Sequence, residues 1–342
     1  MKTDFFSRNI GKGLAALYVA AAFLPLLSCD RLHETLPECN HGARIRFVYD
    51  YNMEFANAFP SQVDCLTVLF YKEDGTYVKT EIDTNHENLS DENWRMDINL
   101  EPGTYNIIAY GGMECPESSF TFTPMPGNGV PMTDVEVELK PSCITSPTGT
   151  RLHDLFYGKA DVSVSDADMD FQEVTVYMIK DTNNLRILLQ QVDGTPINEA
   201  DFDFKITDDN TLMAWNNDVI STKTTEYLPW SRGNASPGEL PDDKGEATVC
   251  WAEFSFPRLI VSNSPRLIIK AKEDGNTIVN IPLNNYLLLL KSEVYSKMGS
   301  QEFLDRESRW KMLFFLNGNR WLNTVIEIND WVVRINDINT DF

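Results

Sequence analysis

Positive charge is scarce in this 342-residue chain, where 29 Lys plus Arg stand against 51 Asp plus Glu for a formal net charge of −22. Nucleic acid, which is held largely through its phosphates, is therefore not expected as a partner, and the same balance argues against binding anionic head groups through basic patches. Long apolar runs are also missing. The most pronounced one, residues 14–27 (LAALYVAAAFLPLL), falls short of the roughly 20 residues a transmembrane helix needs and is interrupted by Pro25. There are four histidines, His33, His41, His86 and His153, with no ligand spacing between them, and no CxxC pair, so no zinc site is expected. GxSxG, HExxH, GxGxxG and Walker sequences are absent, and no pair of carboxylates stands out as a glycosidase dyad. Asp166, Asp168 and Asp170 alternate like the start of a calcium loop but lack its glycine at position six and glutamate at position twelve. A non-enzymatic protein without metal or cofactor is expected.

Lys2, Arg8 and Lys12 precede the apolar stretch, as in a bacterial export signal. Leu26-Leu27-Ser28-Cys29 then resembles the lipobox of bacterial lipoproteins. The match predicts cleavage between Ser28 and Cys29, with a thioether-linked diacylglycerol and an amide-linked acyl chain on Cys29. At about 0.8 kcal/mol per buried CH₂, two or more chains make a lasting anchor. Removing residues 1–28 takes away three basic residues and one acid, leaving 26 Lys plus Arg, 50 Asp plus Glu and a formal charge of −24. Lipid on Cys29 leaves Cys39, Cys65, Cys115, Cys143 and Cys250, an odd number, so at least one is unpaired. Spacing leaves the connectivity open, with the cysteines before residue 150 as the candidates.

Residues 29–42 are polar, broken by Pro37 and Gly42, and read as a tether. Beyond them the dominant period is two. Ile45, Phe47, Tyr49 and Tyr51 fall on one face, and Trp94, Met96, Ile98 and Leu100 on another. Short strands between turn sequences predict a mainly β chain of sandwich type. The Pro, Ser, Thr and Gly-rich stretch 141–149 predicts a boundary between an N-terminal β-sandwich domain, 43–142, and a C-terminal one, 143–342. Residues 221–245 read as a solvent-facing loop. Leu283, Leu287, Leu290, Val294 and Met298 form a helical stripe, and Ser300 is placed to cap a second helical turn. Trp94, Trp251 and Trp331 read as core-facing strand positions, whereas Trp215 and Trp230 flank loops and are candidates for stacking on sugar rings.

Several segments together resemble the FimB and Mfa-type fimbrial anchor lipoproteins. They are Cys39 and Gly42 before RFVYDYNMEFANAFPSQVDCLTVLFYKEDGTYV (46–78), then LEPGTYNIIAYGGMEC (100–115), LHDLFYGKADV (152–162) and IPLNNYLLLLKSEVYSKMGSQEFLDR (281–306), followed by INDWVVRINDI. The resemblance implies two tandem transthyretin-like β-sandwich domains, the second with a short helix. It also implies a lipid-anchored, surface-exposed place on the outer membrane and attachment of fimbrial shaft subunits. Such subunits assemble by exchanging β-strands. On that basis the tail 329–342, with Trp331, Val333 and Ile335 on one face, is either a partner-binding strand or the last core strand. Two other roles stay open. One is a surface glycan-binding lipoprotein. The other is a shaft or tip subunit, matured by proteolysis after a basic residue such as Arg31, Arg44 or Arg46.

Overall fold

The computed structural model describes residues 41–144, 148–166, 170–239, 246–291, 295–328 and 331–336. The chain is mainly β, with 48% strand and 13% helix. A seven-stranded sheet has the order β3 (Tyr77–Asp83), β2 (Leu66–Lys72), β5 (Gly103–Gly111), β8 (Phe156–Val164), β9 (Phe171–Lys180), β1 (Gly42–Val48), β4 (Met96–Asn99). A six-stranded sheet has the order β15 (Ser231–Glu239), β16 (Glu246–Pro257), β10 (Thr182–Gln191), β19 (Arg309–Asn317), β20 (Arg320–Ile328), β21 (Trp331–Asn336). It shares a core with the sheet β14 (Thr225–Tyr227), β11 (Phe202–Asp208), β17 (Arg266–Ala271), β18 (Thr277–Pro282). A last sheet joins β13 (Val219–Ile220), β12 (Leu212–Ala214), β7 (Glu136–Leu139) and β6 (Phe120–Thr123). Short helices are α1 (Phe59–Gln62), α2 (His86–Leu89), α3 (Leu283–Leu288) and α4 (Ser300–Arg306).

The period-two pattern reflects burial. Ile45, Phe47 and Tyr49 are buried, as are Met96, Ile98 and Leu100, and all six enter a first core with Leu66, Val68 and Phe70 of β2. The other face of β2, Leu69 and Tyr71, belongs to a second core. That explains why CLTVLFY is apolar but for Thr67, whose buried hydroxyl donates to the Met113 carbonyl: a strand walled by two cores has no polar face. The second core runs from Ile108 and Tyr110 through Phe120, Phe122, Val137 and Leu139 to Leu185, Ile187, Phe254 and Ile269.

The expected division at residues 142/143 is therefore not a division between sheets. β8 pairs with β5 from Gly103↔Val164 to Gly111↔Phe156, and β9 lies parallel to β1 from Gly42↔Phe171 to Val48↔Tyr177. In the other direction, β7 pairs with β12. The physical reason is strand satisfaction. β1 and β5 each need a neighbour on their second edge, and the chain supplies it only after residue 155. Strands from before and after 141–149 thus share sheets.

Three local expectations also change. The stripe from Leu283 is two pieces: α3 ends at Leu288 and a single 3₁₀ turn, Leu289–Lys291, follows, while Val294 lies outside the described residues. Gly299, not Ser300, is the N-cap of α4. Within 221–245, β14 and β15 form strands because β11 and β16 offer them edges.

Cys65 and Cys115 are joined by a disulfide that ties the start of β2 to the loop after β5 across a sequence separation of 50. Closing a loop of that size removes about 4 kcal/mol of unfolded-chain entropy. Cys143 and Cys250 are free, and burial pushes the Cys250 thiol up to about 12. The odd cysteine expected from the count is thus found; Cys29 and Cys39 lie outside the described residues.

Glu307 ends α4 with only 5% exposure, and its carboxylate accepts from the backbone N–H groups of Ser308 (2.9 Å) and Arg309 (2.7 Å). Burial nevertheless raises its pKa from 4.5 to about 7. The folded state then binds a proton more tightly than the unfolded chain. This contribution to stability is complete below about pH 4.5 and is lost as the pH rises through about 7. Glu307→Gln, which keeps the accepting oxygen, is expected to match the wild type at pH 4.5 and to exceed it at pH 8 by on the order of 2–3 kcal/mol. Urea unfolding at the two pH values measures the difference, and a variant equally or less stable at pH 8 refutes it.

Candidate functional site

The tail is resolved into two parts by its backbone pairing. β21 lies antiparallel to β20, with Trp331 opposite Ile328, Val333 opposite Ile326 and Ile335 opposite Thr324. Residues 331–336 are thus the last strand of the six-stranded sheet, while 329–330 and 337–342 lie outside the described residues. As the end of the sheet order, β21 has one edge on β20 and no strand on the other among the described residues. An edge of this kind presents a row of N–H and C=O groups able to take one more strand. The two readings of the tail are therefore compatible: it completes the sheet and leaves an edge open.

At the other end, β1 is central, held between β4 and β9. Its first residue has to be small, because a Cβ on Gly42 would lie 1.8 Å from the carbonyl oxygen of Ile98. Ser28 and Cys29 lie outside the described residues, as does Arg31. Arg44 and Arg46 are inside β1, Arg44 paired with both β4 and β9 and Arg46 with β9, and Arg44 forms a two-pronged ion pair with Asp97 at 2.8 Å for each hydrogen bond. Cleavage after either arginine requires opening this sheet.

The fold brings together one cluster that sequence spacing hid. Asp64, Cys65, Cys115 and His153 place their ligand-type atoms within 4.8 Å of one another, and His153 Nε2 is 2.9 Å from Asp64 Oδ2. Because the two sulfurs are bonded to each other, they offer no thiolates to a metal. Nothing in the spacing Asp64-Cys65 to Cys115 to His153 could have signalled the meeting, since it depends on β2, β5 and the approach to β8. Of the acids that resemble a calcium loop, Asp166 and Asp170 are exposed and Asp168 lies outside the described residues.

The tryptophans divide differently from expectation. Trp94 packs against the first core, as foreseen. Trp251, however, alternates with the fully buried Cys250 and Ala252, so it lies on the outer face of the sheet, across Gly233. In the run ATVCWAEFSF Trp251 shares its phase with Glu253 and Ser255, while Cys250, Ala252, Phe254 and Phe256 of the other phase are fully buried, and the register of β16 on β10 sets Leu188 opposite Trp251. Trp215 packs on the second core with Lys159 4.9 Å above its ring. Trp230 lines a polar groove, with the Arg151 guanidinium 5.5 Å from its ring centroid.

Layered sheets around two cores, the last of them ending in β21 with no strand on its outer edge among the described residues, define a mainly β protein of sandwich type. The chain belongs to the fimbrillin-A associated anchor proteins Mfa1 and Mfa2, whose family model matches residues 36–337. Proteins of this family are structural, located at the cell surface with fimbriae and associated with fimbrial subunits. A candidate adhesin from Bacteroides thetaiotaomicron VPI-5482 is 49% identical and superimposes with a TM-score of 0.81, covering 88% of this chain and 100% of its own. A candidate polysaccharide-binding protein from the same organism is 27% identical with a TM-score of 0.71, covering 86% and 99%. The fimbrial anchor protein Mfa2 from Porphyromonas gingivalis shares the fold at 16% identity, with a TM-score of 0.63 and coverage of 86% and 98%. No curated protein matches this sequence.

Proposed function

We propose that this protein anchors a fimbria to the outer membrane, holding the lipid bilayer through acyl chains on Cys29 and the first shaft subunit through the outer edge of β21. The observation that carries this reading is the position of β21 at the end of its sheet, at the opposite end of the chain from Cys29. Residues 29–42, fully extended, reach about 45 Å, enough to lift the folded part clear of the head groups. A shaft subunit strand added to β21 gains main-chain hydrogen bonds along it, with Trp331, Val333 and Ile335 as the positions that set specificity. Because Cys29 is tied to lipid, growth ends there, which limits assembly. The central, doubly paired β1 favours an anchor over a shaft or tip subunit that is opened by cleavage after Arg44 or Arg46.

Deletion of the gene is expected to release fimbriae into the medium, overlong where termination is lost; electron microscopy and fractionation of fimbrial antigen measure this. Fimbriae that stay attached at normal length count against the proposal. A second reading, glycan binding at the surface, is favoured by one observation: Trp230 lines a groove rich in cations on an otherwise acidic protein.

A further inference from the structure

On a chain with 51 acidic and 29 basic residues, one groove reverses the balance. It has a volume of about 610 Å³ and is lined by five cations, Arg151, Lys180, Arg186, Arg309 and Lys311, against two carboxylates, Asp154 and Glu253. Its floor is the outer face of the six-stranded sheet, where the parallel register sets Asn184 beside Arg309 and Arg186 beside Lys311.

Each carboxylate is already engaged. Asp154 accepts from Lys180 Nζ at 2.6 Å and from Thr182 Oγ1 at 2.9 Å, and Glu253 is paired with Arg186. Arg151 and Arg309 have no carboxylate partner among the described residues, and both are exposed. They converge on the buried Lys180: its pKa is lowered chiefly by burial, with Arg309 and Arg151 adding to the effect against the pull of Asp154. Like charges held this close in a cleft call for an anion to relieve them. Beside them, Trp230 supplies a ring, and its buried indole N–H has no hydrogen-bond partner among the described residues. Charge alone fits any oxyanion. A ring, an unpaired donor and a cleft of small-ligand volume together fit a sugar that carries one.

We infer that this groove binds an acidic oligosaccharide, with Arg151 and Arg309 holding a carboxylate or sulfate and Trp230 packing on the adjoining ring. The inference rests on the glycan-binding reading and narrows it to one ligand class and one place; it does not depend on fimbrial anchoring.

Calorimetric titration of the purified lipoprotein in neutral detergent tests it, with a galacturonic acid trisaccharide and a heparin-derived tetrasaccharide as probes and maltotriose and inorganic sulfate as comparisons. The expected result is saturable one-to-one binding of at least one acidic probe, about tenfold or more tighter than either comparison and weakened by salt. Arg309→Ala, Arg151→Ala and Trp230→Ala are each expected to weaken it about tenfold with unfolding temperature unchanged. Arg232→Ala, outside the groove, is expected to leave it intact. Equal binding of maltotriose overturns the acidic class while leaving glycan binding in place. Equal binding of sulfate alone overturns the sugar. Failure of every probe to bind overturns both readings, and an Arg309→Ala protein that binds as well as the wild type overturns the site.

Discussion

Cys29→Ser is expected to strip the protein of acyl label and transfer nearly all of it from the membrane to the soluble fraction, with attached fimbriae lost from the cell. The size of the effect follows from what else could hold the chain. Each acyl chain contributes about 0.8 kcal/mol per buried CH₂, and two or more chains make detachment negligible, whereas a single short chain binds only marginally. No helix among the described residues is long and apolar enough to cross a membrane. The mature formal charge of −24 opposes adsorption to anionic head groups. With the thiol gone there is neither a diacylglyceryl transfer nor the second acylation that follows it. Fractionation with labelled palmitate reads both results. Cys39→Ser serves as the control and is expected to leave label and location unchanged. A Cys29→Ser protein still found in membranes without label refutes lipid anchoring at this residue.

Arg258→Met is expected to destabilise the fold by about 3–5 kcal/mol, the largest effect anticipated for a single side chain away from the lipid. Arg258 is 13% exposed and grips Asp305 of α4 with two hydrogen bonds of 2.8 Å. It also donates to the carbonyl of Asn217 at 2.7 Å and lies 3.8 Å from Asp181, which is fully buried. Four segments meet at this point: the link from β9 to β10, the turn between β12 and β13, the end of β16 and α4. Burial raises Asp181 to about 7 in spite of Arg258 and of the hydrogen bond from Asn217. Methionine fills similar volume but leaves two carboxylates buried without their cation. Asp181 can escape that cost by taking up a proton, so the loss is expected to be greatest at pH 8 and to shrink towards pH 5. Urea unfolding across this range tests both magnitude and slope. A loss below about 1 kcal/mol at pH 8 shows that the network is not integral to the fold.

Much of the fold was legible because β-strands write their burial into alternate residues. Ile45, Phe47 and Tyr49, or Met96, Ile98 and Leu100, needed no partner to be recognised. A strand apolar at nearly every position resisted. β2 turned out to have a core on each face, which a run of apolar letters does not reveal, whereas Trp251 of β16 turned outward in the phase that Glu253 shares. At 142/143 a related limit shows, because β5 and β8, on either side of it, lie side by side in one sheet. A loop-like composition shows where the chain leaves a strand, not which sheet it joins next.

The candidate sites divide along the same line. The expectation at Cys29 rests on the adjacent residues Leu26-Leu27-Ser28 and not on any fold, so it could be made from sequence alone. Trp331, Val333 and Ile335 could be named from alternation, but only the pairing of β21 with β20 showed that the strand closes one sheet edge and leaves another open. The cationic groove, the meeting of Asp64 with His153 and the Arg258 network bring together residues up to 160 positions apart, from Arg151 to Lys311 of the groove. By itself, then, the sequence determined the acidic balance, the β periodicity, the lipid attachment signal and the family resemblance, because each depends on neighbouring residues or on sums over the chain. Sheet order, the shared second core, the open edge and the groove were decided by tertiary structure, because hydrogen bonding between strands and the convergence of distant charges depend on which segments pair, and pairing is a property of the whole chain.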